Sequence, residues 1–260
     1  MTHALIAAKS GWGKGWLSQY WIEDNLSNYD YVVVLDRRDE FRGLVKQGFA
    51  RWMALGPREQ PVSPSGWVDV IRENRRLVLA RYKLGADDWK EAVARVVHGA
   101  LESDLEVLVV IDEAHKVAPQ RDSYPDPLED LATEGRGRVA SIWITQRLAK
   151  LDTTPVSEMM IYVLGGFQSD SDLKKIKKNV GYPKDIHKAN GGEVRRLPED
   201  LHAENAGPVA LRKFTEEGST IGSEWIYSDD DGDRRRLNSR ELSMKSTHYG
   251  PESLDLSTPG

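Results

Sequence analysis

The sequence contains no cysteine among its 260 residues, which excludes disulfide bonds, thiolate metal sites, iron–sulfur clusters and cysteine nucleophiles. Long apolar runs are also missing. The longest ones, at 31–35, 107–111 and 159–166, fall far short of the ~20 residues that a membrane-spanning helix needs. The six histidines are scattered and show no spacing typical of a zinc site.

The sequence has neither a strong excess of charge nor a targeting segment at its start. Lysine and arginine number 36 against 41 acidic residues, for a net charge of −5. This balance neither favours nor excludes nucleic acid as a partner, because a local basic patch matters more than the total. Residues 1–8 lack the charged start of a signal peptide and lead into a glycine-rich turn. We therefore expect an intracellular, soluble protein.

Short apolar segments alternate along the chain with segments of helical character. Runs rich in β-branched residues at 31–36 (YVVVLD) and 105–111 predict buried strands. Residues 87–101 carry apolar side chains at helical spacing, and Asp87 or Asp88 can cap that helix. Strands separated by helices indicate a mostly parallel sheet covered on both faces, so the sequence predicts an α/β fold.

The composition also predicts how the chain is divided. We expect a core domain over residues 1–215, with an insertion at about 37–75 where the sequence becomes polar and rich in glycine and proline. Residues 216–260 are expected to form a short β appendage and a polar, disordered tail. The acidic run 229–233 and the Ser/Thr/Pro-rich end after Ser243 favour that interpretation.

A glycine-rich turn separates the first predicted strand from the first predicted helix. Set against the P-loop pattern G-x-x-x-x-G-K-[ST], Gly13 and Lys14 fit, whereas Ala8 replaces the first glycine. Gly15 replaces the hydroxyl residue that normally ligates Mg²⁺. A P-loop binds phosphates through the backbone N–H groups of its turn. The alternative interpretation of this segment is an ordinary glycine-rich turn with a surface lysine. The predicted nucleotide-binding residues are Ser10, Gly11, Trp12, Gly13, Lys14, Gly15 and Trp16.

A second motif, VLVVIDE at 107–113, is an apolar strand that ends in two carboxylates. Asp112 at the tip of the strand can hold Mg²⁺ through water, and Glu113 can orient and deprotonate an attacking water. The alternative is a strand that ends in a solvated acidic turn. The glycine-rich turn upstream makes the nucleotide-binding hypothesis much more specific.

A third motif, SIWITQR at 141–147, is a strand that ends in polar residues, and Gln146 is our candidate sensor of the γ-phosphate or the attacking water. Arg136 and Arg138 lie in a glycine-interrupted loop just before it. An arginine supplied across a subunit interface can stabilise the charge of the transferred phosphoryl group. The alternative for Gln146 is a strand end without a ligand. The alternative for the two arginines is a solvated turn or a structural ion pair.

Three stretches together resemble the HerA/FtsK superfamily of P-loop DNA translocases. They read IAAKSGWGKGWLSQ, VLVVIDEAHKVAP and LATEGRGRVASIWITQR, and the likeness covers about residues 4–211. The resemblance implies a RecA-like core that binds ATP and Mg²⁺ and assembles into a homo-oligomeric ring, a hexamer. The roles it implies are phosphate binding by Lys14, Mg²⁺ binding by Asp112, base catalysis by Glu113, sensing by Gln146, and a trans-acting finger at Arg136 or Arg138.

Within that superfamily the chain is similar above all to archaeal HerA-like ATPases and to the genome-packaging ATPases of tailless, membrane-containing archaeal viruses. The sequence starts three residues before the first strand and lacks the extra domains of cellular HerA and FtsK. We therefore expect an ATP-driven translocase of double-stranded DNA that packages a viral genome. It would act in the cytoplasm of the host cell or on the virion, recruited by capsid or membrane vertex proteins.

A translocating ring needs basic residues facing its pore, because phosphate contacts dominate affinity that is independent of base sequence. The alternative for a lysine-rich helix is a solvated face. The candidate DNA contacts are Arg37, Arg38, Lys174, Lys175, Lys177 and Lys178.

Gly15 keeps a second hypothesis open. In it the protein is a nucleotide-binding assembly or regulatory subunit that hydrolyses ATP weakly or not at all. The Asp112–Glu113 pair and Gln146 argue against this alternative, because a dead site has no physical need of a carboxylate that activates water.

Overall fold

The apolar runs become strands and the segments between them become helices in the computed structural model, which describes residues 2–134 and 137–250. The strands are β1 (His3–Ala7), β2 (Tyr31–Asp36), β3 (Arg51–Leu55), β4 (Arg76–Arg81), β5 (Val107–Ile111), β6 (Val139–Thr145), β7 (Ile161–Leu164), β8 (Lys213–Glu216), β9 (Ser219–Asp229) and β10 (Arg234–Asn238). The α-helices are α1 (Lys14–Asn25), α2 (Arg42–Lys46), α3 (Pro64–Asn74), α4 (Ala86–Glu102), α5 (Asp126–Thr133), α6 (Thr153–Ser157) and α7 (Asp170–Asn179).

The strands form one mixed sheet in the order β10-β9-β7-β1-β6-β5-β2-β4-β3, with β8 paired to β9. All neighbours from β3 to β7 are parallel, whereas β9 runs antiparallel to β7, and β10 antiparallel to β9. Alternate residues of the central strands enter two apolar cores, one on each face: Leu5 and Val33 in one, Ile6 and Val34 in the other. The predicted α/β fold with a covered, mostly parallel sheet is confirmed.

The strand order decides where a site can form. β1, β6, β5 and β2 are parallel neighbours, so their carboxyl ends meet at one edge of the sheet. Ligands of open α/β sheets bind outside this edge, where the order of the strands reverses. Three of the predicted motifs follow β1, β5 and β6, so the fold brings them together.

Residues 37–75, predicted as an insertion, contain an additional strand and two helices. β3 pairs parallel with β4 and forms one end of the sheet. Ser63 is the N-cap of α3, and its hydroxyl accepts a hydrogen bond from the Gly66 N–H at 3.1 Å. We did not predict β3, because its apolar run at 52–55 (WMAL) is short and lies within a polar stretch rich in glycine and proline.

The region after residue 215 differs from the predicted appendage with a disordered tail. β9 extends the main sheet, and its Trp225 and Ile226 are fully buried. Residues 243–250, which we call the C-terminal strap, lie against α1. The Glu23 carboxylate accepts hydrogen bonds from the backbone N–H groups of Lys245 and Ser246 at 2.5 and 2.9 Å. The polar residues of the strap are thus held by hydrogen bonds. Residues 251–260 lie outside the described part of the chain.

Among the helices of the described residues, none is both long enough and apolar enough to cross a bilayer.

Candidate functional site

The glycine-rich turn lies between β1 and α1. Gly13 precedes the helix with φ of 84°, a left-handed conformation that glycine adopts without strain. Lys14 is the first residue of α1. The first N–H groups of a helix have no partner within it and lie at the positive end of its dipole. The turn therefore offers hydrogen-bond donors and positive potential to an anion such as a phosphate.

A cavity of about 700 Å³ opens over this turn. Every predicted nucleotide-binding residue lines it except Trp12, whose side chain is buried. The Trp12 indole N–H donates to the Glu224 carbonyl at 3.1 Å, and its ring fills the space beside Gly165 and Gly166. The remaining lining residues are Lys9, Arg38, Glu40, Gln146, Thr220, Ile221, Gly222, Ser239, Arg240, Leu242 and His248.

Asp112 and Glu113 follow β5 at the same edge of the sheet. Asp112 is 2% exposed, and its Oδ2 has no hydrogen-bond partner within the described residues. Burial raises the pKa of Asp112, whereas the positive charge of Lys14 lowers it. Glu113 is also buried and has φ of 50°, an unusual backbone conformation for a residue with a side chain. Backbone strain of this kind is concentrated at functional sites.

Two side chains contact the Glu113 carboxylate. The Arg38 Nε lies 2.8 Å from Oε1, and the His115 Nδ1 lies 3.3 Å from Oε2. The same His115 nitrogen is 3.0 Å from the Thr145 hydroxyl at the end of β6. Burial lowers the pKa of His115 to about 3, so this imidazole is neutral at physiological pH. Arg38, predicted from the sequence as a DNA contact, thus forms an ion pair with the predicted catalytic base.

Gln146 follows β6 and lines the cavity together with Lys9 and Ser10. Arg138 lies at the opposite edge of the sheet, because it immediately precedes β6 whereas Gln146 immediately follows it. The length of β6 separates the two residues by roughly 26 Å at about 3.3 Å per residue. Arg138 is exposed, and Arg136 lies outside the described residues.

The structure distributes the other predicted DNA contacts over two places. Arg37 is half-buried next to Arg38 at the end of β2. Lys175 donates to Gln120 Oε1 at 2.8 Å and to the Leu151 carbonyl, and burial lowers its pKa to about 8. The exposed lysines of α7 are Lys174, Lys177 and Lys178.

Two acidic residues at the end of β2 belong to the site and were not predicted. Asp36 is fully buried beside Asp112, and burial raises its pKa, with Asp112 raising it further. Its carboxylate accepts hydrogen bonds from the N–H groups of Glu40 and Phe41 at 3.1 and 2.9 Å. The available signal was the last residue of YVVVLD, an aspartate at the tip of a buried strand. Glu40 had no sequence signal.

The residues present fit the Mg²⁺ that this fold implies. Within the described part of the chain there is no group of three or more metal-ligating side chains. Mg²⁺ at a nucleotide site does not need such a group, because it binds one or two carboxylates together with phosphates and water. The buried Oδ2 of Asp112, unpaired within the described residues and near Lys14, is the kind of ligand that such a site requires.

No family model matches the chain, and no curated protein matches it. Solved structures do. The genome packaging NTPase B204 from Sulfolobus turreted icosahedral virus 2, in complex with sulfate, has a TM-score of 0.59 and 12% identity, over 90% of this chain and 94% of that one. The same NTPase in complex with AMPPCP gives the same TM-score and identity over 96% of its chain.

VirB4 of Thermoanaerobacter pseudethanolicus has a TM-score of 0.60 and 10% identity, over 90% of this chain and 88% of that one. Identities this low carry information on the fold alone. The chain therefore has the same fold as these proteins, which agrees with the RecA-like P-loop NTPase core that its resemblance to the HerA/FtsK superfamily implies.

Proposed function

We propose that this protein is an ATPase that uses ATP hydrolysis to move double-stranded DNA, and that its task is to package a viral genome. One observation carries the proposal: Lys14, the Asp112–Glu113 pair and Gln146 converge on one edge of the sheet, around a phosphate-cradling turn. The similarity in fold to a viral genome packaging NTPase supports the biological task.

The chemistry we propose is in-line attack of water on the γ-phosphate of ATP. The N–H groups of the turn and Lys14 bind the phosphates, and Glu113 accepts the proton of the attacking water. Bound Mg²⁺, held by Asp112, would neutralise charge on the phosphate oxygens. Gln146 lines the cavity, and we propose that it contacts the γ-phosphate or the attacking water.

We propose a homo-oligomeric ring, a hexamer, because Arg138 can serve hydrolysis only in a neighbouring subunit. It lies at the edge of the sheet opposite the nucleotide cavity of its own chain. In a ring, the exposed face of one subunit can meet the cavity of the next. Double-stranded DNA would pass through the pore, and the exposed lysines of α7 are the described candidates for contact with its phosphates.

The test is steady-state ATP hydrolysis in Mg²⁺, with and without double-stranded DNA, for the wild type and Glu113→Gln. Glu91→Gln, on the exposed side of α4, is the matched control. We expect DNA-stimulated hydrolysis that Glu113→Gln lowers by at least about a hundredfold and the control leaves unchanged. ATP binding without hydrolysis in the wild type would favour the non-hydrolysing subunit instead, and the absence of nucleotide binding would contradict both functions.

A further inference from the structure

Glu40 is held in a defined position beside the P-loop. The turn after β2 is fastened by Asp36, whose Oδ1 accepts the Glu40 N–H at 3.1 Å and whose Oδ2 accepts the Phe41 N–H at 2.9 Å. The Glu40 residue is 8% exposed and lines the cavity with Lys14 and Gly15. A glutamate so nearly buried is costly unless its charge meets a cation. Arg38 Nη1 lies 3.8 Å from its Oε1, which is longer than a hydrogen bond.

The Glu40 carboxylate occupies the space that a side chain at position 15 would fill. A Cβ atom built on Gly15 would lie 2.8 Å from Glu40 Oε2 and 3.0 Å from the His248 imidazole. Both distances are shorter than ordinary van der Waals contact. A serine or threonine at position 15, the residue that the P-loop pattern requires, would therefore force the Glu40 carboxylate out of its present position. The absence of a side chain at Gly15 leaves open the space that the Glu40 carboxylate occupies.

We propose that Glu40 replaces the missing P-loop hydroxyl and, with Asp112, binds the divalent cation that accompanies the nucleotide; this inference rests on the proposed function. A carboxylate oxygen is a hard ligand that suits Mg²⁺, which takes one or two carboxylates beside phosphate oxygens and water. Asp112 is a second and independent indication, because it is buried with an Oδ2 atom that has no partner within the described residues. A bound ion is one of the explanations for a buried polar atom that has no partner.

The test measures the affinity of a fluorescent, non-hydrolysable ATP analogue in Mg²⁺ and in EDTA. The readout is the ratio of the two dissociation constants, which reports the metal and not the rate of hydrolysis. We expect Glu40→Gln to lower this preference for Mg²⁺ by at least about tenfold, because lost metal partners cost that much or more. Affinity in EDTA stays unchanged or improves, since a negative charge near the phosphates is removed. Glu91→Gln, an exposed glutamate on α4, is the control.

The double variant Gly15→Ser/Glu40→Ala supplies the hydroxyl and removes the Glu40 carboxylate from the space that the hydroxyl needs. We expect its Mg²⁺ preference to return toward the wild-type value, whereas Gly15→Ser alone does not raise it. If Glu40→Gln does not fold, as checked by thermal unfolding, the double variant provides the test. A preference for Mg²⁺ in the double variant supports the proposal that Glu40 takes the place of the hydroxyl, and the absence of a preference overturns it.

The outcomes separate this inference from the proposed function. Nucleotide binding that is equally strong in Mg²⁺ and EDTA, or a preference that Glu40→Gln leaves intact, overturns the role of Glu40 and leaves the ATPase proposal standing. A wild type that binds no nucleotide overturns both.

Discussion

Glu113 illustrates how much of this site is decided by single side chains. Its carboxylate is buried, its backbone is left-handed, and the Arg38 Nε lies 2.8 Å from the oxygen Oε1. The Arg38 guanidinium pairs with this oxygen, so the oxygen is not free to accept the proton of a water molecule. We therefore expect the ion pair with Arg38 to open before Glu113 acts as a base. Arg38 lines the cavity, where a nucleotide or a neighbouring subunit could displace it.

The first prediction follows from this pair. Arg38→Ala removes the partner of Glu113 and should raise ATP hydrolysis in the absence of DNA, so that added DNA stimulates the variant less than the wild type. Steady-state hydrolysis with and without double-stranded DNA measures this. Arg58→Ala, at an exposed position, is the control and should behave as the wild type. Lower hydrolysis with unchanged stimulation would mean instead that Arg38 assists the reaction directly.

At the scale of elements, the hairpin of β8 and β9 supports the P-loop. The Ser223 hydroxyl donates to the Trp12 carbonyl at 2.6 Å, and the Glu224 carbonyl accepts the Trp12 indole N–H. The Glu224 side chain is buried between Arg212 and Arg236, with its oxygens 2.6 and 2.5 Å from their Nη2 atoms. This triad, in which the Glu224 and Arg236 side chains are buried, fixes the strand against which the glycine-rich turn rests.

The second prediction tests the triad. Glu224→Ala leaves Arg236 buried without its carboxylate, so the free energy of unfolding should fall by about 3–5 kcal/mol. Urea unfolding measures the change. Glu216→Ala, an exposed position on β8 of the same hairpin, should change the stability by less than about 0.5 kcal/mol. Equal effects of the two substitutions would show that the triad does not stabilise the fold.

At the scale of the whole molecule, the two edges of the sheet carry different functional groups. The cavity lined by the glycine-rich turn lies at the carboxyl ends of the parallel strands, and Arg138 lies at the other edge. A complete site therefore needs two subunits if Arg138 contributes to it. The strand direction imposes this requirement, because no side chain can reach across the length of β6.

The third prediction uses mixed subunits. Glu113→Gln lacks the base and Arg138→Ala lacks the finger, so each variant alone should hydrolyse ATP poorly. A mixture of the two should recover part of the wild-type rate, because some interfaces then join an intact Glu113 to an intact Arg138. A mixture no more active than its components would exclude Arg138 as a trans-acting group, and Arg136 would become the candidate.

The fourth prediction concerns acid. His187 is fully buried; its Nδ1 donates to the Gly165 carbonyl at 2.8 Å, and its Nε2 lies 3.2 Å from the Tyr182 hydroxyl. Burial lowers its pKa to about 4, although the bond to Gly165 opposes this shift. The unfolded chain takes up a proton below about pH 6.5, so stability is full above that pH and falls as pH drops toward 4.

The contribution of His187 to this loss is about 3 kcal/mol. His187→Gln should flatten the dependence of the unfolding free energy on pH between 6.5 and 4, whatever its effect at pH 7. Urea unfolding at several pH values measures the slope. His98→Gln, with a side chain 44% exposed, should leave the slope as in the wild type. An unchanged slope in His187→Gln would contradict the assignment.

The alternation of strands and helices, the positions of the P-loop and of the Asp112–Glu113 pair, and hence the fold class could be predicted from the sequence alone. These features are local: an apolar run, a glycine before a lysine and a carboxylate at a strand tip are read within a few residues. The position of Gln146 at the same edge follows from them, because parallel strands end together.

The remaining features depend on how distant parts of the chain pack together. The Glu40 carboxylate lies next to Gly15, Arg38 forms an ion pair with Glu113, and the C-terminal strap is hydrogen-bonded to α1. In each case the partners are far apart in the sequence. The polar residues after 215 gave no sign of their place, because hydrogen bonds to a distant helix leave no apolar pattern. The periodicity of apolar residues indicates which face of a helix or strand is buried, but it does not indicate which polar residue of another segment contacts that face.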